Sequence, residues 1–288
     1  LHRMLLEPET LEHIEADVHL VGTLISLKNI IPQKTKETAR KVVQKVVDEI
    51  ERKLRQPMIE AVQGAISKVT RSSRPRPNEI DWHKTIQKNL RNYLPEHKTI
   101  VPEKLVGYGR RRSSLRDIIL CVDQSGSMAT SVVYSSIFAA VLASMRAVKT
   151  SLVVFDTEVV DLSEMLQDPV DVLFGAQLGG GTDINRAVGY CQQLIEQPDQ
   201  TIMVLITDLY EGGDAQQFLS RVARLKASGV AVICLLALND DGAPSFSEHL
   251  ADHLASLDVP AFACTPDLFP DLMAAAIQKQ DIHAWAAK

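Results

Sequence analysis

The stretch of sequence that decides the fold is Ile118-Ile119-Leu120-Cys121-Val122-Asp123-Gln124-Ser125-Gly126-Ser127. Its first five residues form a continuous apolar run, which is typical of a strand buried on both faces of a parallel sheet. A carboxylate and two hydroxyls then follow at alternate positions in a tight turn that contains glycine. These side chains offer hard oxygen ligands, which suit Mg²⁺, Ca²⁺ or Mn²⁺ better than zinc or copper.

From residue 117 onward, apolar runs alternate with helical patterns, which predicts an α/β fold with a doubly wound, mostly parallel sheet. Only Asp156-Thr157-Glu158 separates the second apolar run from the third, which indicates a hairpin and therefore one antiparallel edge strand. The strand-like runs lie at 117–123, 151–156, 158–162, 201–208, 230–238 and 259–264. The helical intervals lie at about 131–148, 168–176, 184–197, 214–228, 246–257 and 267–285.

Two further segments carry oxygen ligands to the same predicted edge of the sheet. The glycine-rich loop 179–183 contains Thr182, and the buried-type run 201–208 ends in Asp208. Because open α/β sheets bind ligands in the crevice at the carboxyl ends of their strands, these segments should meet near the first turn. We therefore expect a Mg²⁺ site, or one for Mn²⁺ or Ca²⁺, with one position open to an outside oxygen. Its predicted ligands are Asp123, Ser125, Ser127, Thr182 and Asp208.

At these residues the chain resembles the von Willebrand factor A (VWA) family, whose metal-ion-dependent adhesion site combines D-x-S-x-S with a loop Thr and a loop Asp. All five elements are present in order, and residues 117 to about 280 fit the family's alternation of strands and helices. The surrounding DQSGSMA, LGGGTDI and LITDLYEGG resemble the bacterial CoxE-like branch. That resemblance implies a cytoplasmic adaptor that works beside an AAA+ ATPase of the MoxR family.

The expected function is therefore a metal-dependent protein-binding module, in which a partner's Asp or Glu completes the coordination of the ion. Met128, Tyr210 and Glu211 are predicted to form a rim around the metal that contacts this partner. Asp183 is predicted to cap the helix that begins at Ile184, with a role behind the metal ligands as the alternative.

Two other functions remain open from the residues alone. A divalent-metal phosphoesterase needs the same acidic loops, but it also needs a base or a second metal, and the sequence suggests neither. A purely structural metal would stabilise the fold and leave no coordination position open. No His lies near the three loops as a general base, so the sequence predicts that the chain is not an enzyme. No Walker sequence occurs in the chain either, so ATP hydrolysis would belong to a partner.

The region before residue 117 differs in both pattern and charge. Residues 1–116 contain 23 Lys and Arg against 14 Asp and Glu, whereas residues 117–288 contain 8 against 22. This change of sign predicts a boundary near 116 between a basic, mainly helical N-terminal region (1–116) and a VWA domain (117–288). The segment 5–31 is a helical candidate, and Thr35 to Arg55 has an apolar face at helical spacing, bracketed by Pro32 and Pro57.

The remaining expectations concern compartment and partners. The four cysteines are far apart in the sequence, which predicts reduced, buried thiols and a cytoplasmic protein. No membrane association is expected, because the most apolar stretch, 132–148, is interrupted by serines and an arginine. No nucleic acid is expected either, since the arginines at 71–76 and 110–112 lack interleaved aromatic residues. The chain begins without Met, so it is interpreted as a possible fragment.

Overall fold

The centre of the protein is a six-stranded sheet with the strand order β10 (Ala261–Cys264), β9 (Ala231–Leu238), β8 (Thr201–Ile206), β5 (Arg116–Asp123), β6 (Val148–Phe155) and β7 (Val159–Asp161). The computed structural model describes residues 17–28, 30–69, 71–72, 80–108, 116–175, 181–240 and 245–287. All neighbouring pairs in this sheet are parallel except β6 and β7, which pair antiparallel. The predicted mostly parallel sheet with one antiparallel edge strand is therefore confirmed.

The strands begin and end within a few residues of the predicted positions. The central strands are buried along almost their whole length, because helices cover both faces of the sheet. Four short strands precede them in two antiparallel pairs: β1 (Arg71–Ser72) with β4 (Gly107–Tyr108), and β2 (Tyr93–Leu94) with β3 (Thr99–Ile100).

The helices form two layers, one on each face of the sheet. On one face the core contains α1 (Val18–Ser26), α2 (Gln33–Val69), α4 (Ala129–Ala143), α5 (Pro169–Gly175) and α9 (Phe269–Ile277). On the other face it contains α6 (Ile184–Leu194), α7 (Ala215–Ala227) and α8 (Glu248–Ser256). Two further helices are short: α10 (Ile282–Ala286), whose Ile282 and Trp285 pack against the edge of the first core, and α3 (Trp82–Lys88), which lies outside both layers.

The N-terminal helices pack directly on the α/β part of the chain. Helix α2 packs against α4 and α9, and α1 packs against α4, so their apolar residues share one core with the sheet. A mainly helical N-terminal region is confirmed, while the boundary at residue 116 stays a prediction. The segment 1–16 and the arginine cluster 110–112 lie outside the described residues.

Two predicted helix boundaries are wrong. Pro57 lies inside α2 instead of ending it. A proline removes one helical hydrogen bond, but Leu54, Met58 and Val62 on the same stretch are all buried, and this packing offsets the loss. The predicted helix at 267–285 is two helices, because the chain turns at Lys279, whose φ of 55° is left-handed.

Helix α4 is the most buried helix of the described chain, which agrees with the expectation of a core helix. The stretch Gly126–Ala143 is long and apolar enough to cross a membrane by length and composition, but 67% of it is buried inside the protein. The core helix of a globular protein has the same properties. Ser131, Ser135 and Ser136 in this helix are buried, and the hydroxyls of Ser135 and Ser136 donate to carbonyls one turn earlier.

Candidate metal centre

The site begins with a buried carboxylate at the end of the central strand. Asp123 is the last residue of β5 and is fully buried. Its Oδ1 accepts a hydrogen bond from the backbone N–H of Ser125 (2.8 Å), and its Oδ2 accepts one from the hydroxyl of Thr207 (2.8 Å). The carboxylate is therefore held in one orientation by its own turn and by the neighbouring strand.

The adjacent strand brings the second carboxylate to the same edge. Strands β5 and β8 are parallel neighbours, and Val122 lies opposite Ile206, so the chain reaches Asp208 beside Asp123. The hydroxyl of Ser127 donates to Oδ2 of Asp208 across 2.6 Å, and the hydroxyl oxygens of Ser125 and Ser127 are 3.2 Å apart. Four of the five predicted ligands are thus joined by hydrogen bonds or by a shared turn.

The fifth predicted residue, Thr182, is connected to this group through its backbone. Its carbonyl oxygen accepts a hydrogen bond from the N–H of Gly212 (2.7 Å), in the loop that follows Asp208. A Cβ atom on Gly212 would lie only 2.7 Å from that oxygen, so the close approach of the two loops requires glycine here. No hydrogen bond from the Thr182 side chain to the other four residues occurs among the described atoms.

Burial makes the site electrostatically unusual. It raises the pKa of the Asp123 carboxyl, with a smaller contribution from the charge of Asp208, while the hydrogen bonds from Ser125 and Thr207 oppose this rise. Among the described residues no Lys, Arg or His forms an ion pair with either carboxylate. Two neighbouring acids without a basic partner form a place where a bound cation would be stabilised.

The types of donor atom fit a hard divalent cation. The described residues contain no group of three or more His, Cys, Asp and Glu side chains that could hold a metal, so a cation here would depend on hydroxyl oxygens as well. Two carboxylates would match the charge of a divalent ion, and hydroxyl, carboxylate and water oxygens are the ligands that Mg²⁺ prefers. The cysteines offer no competing zinc site, because all four are free and buried and none belongs to a group of three or more metal-binding side chains among the described residues.

The structure contradicts one of the three predicted rim residues. Met128 is fully buried, because it ends the short 3-10 turn Gly126–Met128 and points into the core beneath α4; it cannot contact a partner. Tyr210 is half exposed, as expected of a rim residue. Glu211 is partly buried and accepts hydrogen bonds from the N–H groups of Asn185 and Gly213, so it also fastens the loop beside Thr182.

Two neighbours of the site complete its construction. The side chain of Asp183 accepts from the N–H of Arg186 and caps α6, as predicted. Thr207 was not predicted: its hydroxyl holds Asp123 and also accepts from the N–H of Leu209, whose φ of 62° marks a tight turn. Its position directly before the strand-end acid was the only signal in the sequence.

The sheet order, the strand-end turn and the hydroxyl and carboxylate side chains beside it define a VWA-type α/β protein. The sequence matches the family model of the VWA domain containing CoxE-like protein over residues 50–273. The chain belongs to this family. The match begins well before residue 117, so it includes part of α2 and the segment that connects α2 to the sheet.

One relative is similar over almost the whole chain. The uncharacterized protein YehP of Escherichia coli (strain K12) is 34% identical over 272 residues, which cover 94% of this chain and 72% of YehP. Among solved structures, the conserved hypothetical protein BatB from Bacteroides thetaiotaomicron is 15% identical and covers 60% of this chain and 99% of its own, with a TM-score of 0.41. A von Willebrand factor type A protein from Catenulispora acidiphila is 13% identical and covers 58% of this chain and 42% of its own, with a TM-score of 0.40.

Proposed function

We propose that this protein is a metal-dependent protein-interaction module, and that Mg²⁺, or Mn²⁺ or Ca²⁺ in its place, is the resident ion. The observation that carries the proposal is the group of hydroxyl and carboxylate oxygens that hydrogen bonds and a shared turn hold together at the carboxyl edge of the sheet. There the Ser127 hydroxyl bridges to Asp208, and the buried carboxylate of Asp123 lies in the same turn. The family supports an interaction module, and the donor set supports the metal.

The proposed roles of the residues follow from their positions. Asp123 and Asp208 would supply the negative charge, while Ser125, Ser127 and Thr182 would supply neutral oxygens. When bound, the ion would offer an electrophilic position to an outside carboxylate. Thr207 keeps Asp123 oriented, and Gly212 keeps the Thr182 loop close, so both act by positioning the ligands.

The proposed partner is a protein that presents an exposed Asp or Glu to this site. Tyr210 and Glu211 border the site, and the exposed ring of Tyr210 would contact the partner beside the carboxylate. The resemblance to CoxE-like proteins makes an AAA+ ATPase of the MoxR type the first candidate, with this chain as its adaptor in the cytoplasm. The CoxE-like family is generally non-catalytic, and we propose no reaction for this chain.

The test is affinity capture from the source cell's lysate with four samples: wild type and an Asp123→Ala/Ser125→Ala variant, each with Mg²⁺ and with EDTA. We expect an AAA+ ATPase or its client to bind only to the wild type with Mg²⁺. Asp252→Ala, which removes an exposed carboxylate on α8, is the matched control and should behave as wild type. The same partners in every sample would show that the metal site does not carry recognition.

A further inference from the structure

The small helix α3 exposes apolar side chains and buries polar ones, which is the reverse of an ordinary surface helix. On its inward side, the buried side chains are those of Thr85 and of Asn89, the residue at its C-terminal cap, and both are polar. Trp82 and Ile86 in α3 and Leu90 in the 3-10 turn that follows it are spaced four residues apart. They point outward and are 56%, 44% and 60% exposed. A free surface helix normally buries its apolar stripe, so this arrangement indicates a face that is covered by another protein surface.

This helix belongs to a compact unit, the 80–108 lobe, whose fold does not use the apolar stripe. The side-chain amide of Asn89 donates to the carbonyls of Thr85 and Lys104, and its oxygen accepts from the N–H groups of Glu103 and Lys104. The Thr85 hydroxyl donates to the carbonyl of Val106 and accepts from its N–H. The lobe is therefore built on a polar centre, and the stripe remains available on the outside.

The charges around the stripe indicate which kind of surface covers it. The lobe contains five Lys and Arg and three Asp and Glu, and Lys88 and Arg91 are exposed beside the apolar residues. A second lobe of the same charge would be repelled, so a symmetric contact between two stripes is disfavoured. The complementary surface should have an apolar floor and acidic edges.

A groove between α1, α2 and the loops that follow β9 and β10 has this composition. It has a volume of about 330 Å³, and Val18, Val46, Ile50, Leu54 and Pro266 contribute apolar surface to it. Four acids, Asp17, Glu49, Asp240 and Asp267, and one base, Lys53, line it as well. Asp240 and Asp267 follow the carboxyl ends of β9 and β10, whereas the lobe is connected to the amino end of β5.

We propose that the stripe Trp82, Ile86 and Leu90 of one copy docks into the acidic groove of a second copy, so that this chain associates head to tail. Such a contact joins two different surfaces, and it therefore leaves a free stripe at one end of a dimer and a free groove at the other. Trp82 would be the main contact, because an exposed indole beside basic side chains is typical of a residue that dominates an interface. None of the five predicted metal ligands lines this groove.

The first experiment measures molar mass by sedimentation velocity of the whole chain from about 1 to 100 µM, at low salt and in about 0.5 M NaCl. We expect mass to rise with concentration and the rise to shrink in high salt, because the charged edges are screened. Trp82→Ala should weaken association by at least about tenfold. Ile30→Ala, which truncates another exposed apolar side chain, is the control and should associate as wild type.

The second experiment distinguishes a head-to-tail contact from a symmetric one. Glu49→Lys/Asp267→Lys reverses two exposed charges of the groove, and this variant, like Trp82→Ala, should be monomeric alone at the lowest concentration at which wild type associates. An equimolar mixture should form dimers and nothing larger, since only the intact stripe of one variant and the intact groove of the other can pair. A monomeric wild type, an unchanged Trp82→Ala variant, or a mixture that stays monomeric would overturn the proposal.

Discussion

The two edges of the central sheet contain buried charges of opposite sign, and their surroundings differ. At the carboxyl edge, Asp123 is buried beside Asp208, with hydroxyls and backbone N–H groups as partners. At the amino edge, Arg116 is buried at the start of β5, and its guanidinium donates to Oε1 of Gln200 (2.6 Å) and to the carbonyl of Ile277 (3.3 Å).

The two edges differ in what balances the buried charge. The Arg116 side chain ties the C-terminus of α9 to the segment before β8, so its charge is used within the fold, where a helix C-terminus favours a cation. Burial lowers the pKa of Arg116 and raises the pKa of Asp123, so both charges are costly. At the carboxyl edge, Asp123 and Asp208 lie beside hydroxyls, and no basic side chain of the described residues forms an ion pair with them, which fits an external cation. The comparison separates an edge whose charge is balanced within the fold from the edge at which we propose that a cation binds.

Removing the central carboxylate should have the largest effect. We expect Asp123→Ala to lower the affinity for Mg²⁺ by more than about 100-fold, because the variant lacks the buried charge that the other ligands surround. Isothermal titration calorimetry with MgCl₂ measures this directly. Asp252→Ala is the control, and an Asp123→Ala variant that still binds Mg²⁺ normally would place the cation elsewhere.

A substitution at the amino edge of the sheet should change the stability of the protein and leave its affinity for Mg²⁺ unchanged. Arg116→Met removes the donor to Gln200 and Ile277, so we expect the free energy of unfolding to fall by about 1–3 kcal/mol in urea denaturation. The affinity for Mg²⁺ should not change. Lys279→Met, an exposed cation in the same area, should change stability by less than about 0.5 kcal/mol. A weaker affinity for Mg²⁺ in Arg116→Met would show that the two edges are coupled.

Much of this comparison could be predicted from the sequence, because both edges lie at strand ends. Continuous apolar runs such as 118–122 define buried strands, and polar residues directly after them must reach the carboxyl edge. The Arg116 contacts could not be predicted, since Gln200 and Ile277 are far away in the sequence. Asp123, Ser125, Ser127 and Asp208 lie where this logic places them, although the metal itself stays a prediction.

The wrong predictions have physical causes that a local sequence pattern does not show. Met128 follows a polar turn and was expected at the surface, but the turn directs its side chain into the core. Pro57 was expected to end a helix, but α2 continues past it because the helix is stabilised by its packing on α4 and α9. The exposed stripe of α3 was missed for the same reason, since the pattern of a helix does not say which face is covered.

A smaller effect should follow from crowding the Thr182 loop. In Gly212→Ala the new methyl group would meet the Thr182 carbonyl oxygen, and the loop must move away. We expect the affinity for Mg²⁺ to fall by about tenfold, because a displaced ligand loop is less well organised. Gly64→Ala is the matched control: a Cβ there has no neighbour within 4 Å, and Ala should stabilise α2 by up to about 1 kcal/mol without affecting Mg²⁺. If Gly212→Ala bound Mg²⁺ as tightly as wild type, Thr182 would not be a ligand.

Removing the cation should have the smallest effect on stability. The sheet edge is already held by hydrogen bonds within the chain, such as those from Ser125 and Thr207 to Asp123, so the fold should not depend on the metal. At a Mg²⁺ concentration about five times the Kd, binding should add about 1 kcal/mol, which corresponds to a shift of about 2–4 °C in melting temperature. Differential scanning calorimetry in Mg²⁺ and in EDTA measures this shift, and Asp123→Ala should show none. A collapse of the fold in EDTA would instead identify the ion as a structural staple, and the carboxyl edge would then resemble the Arg116 edge in its role.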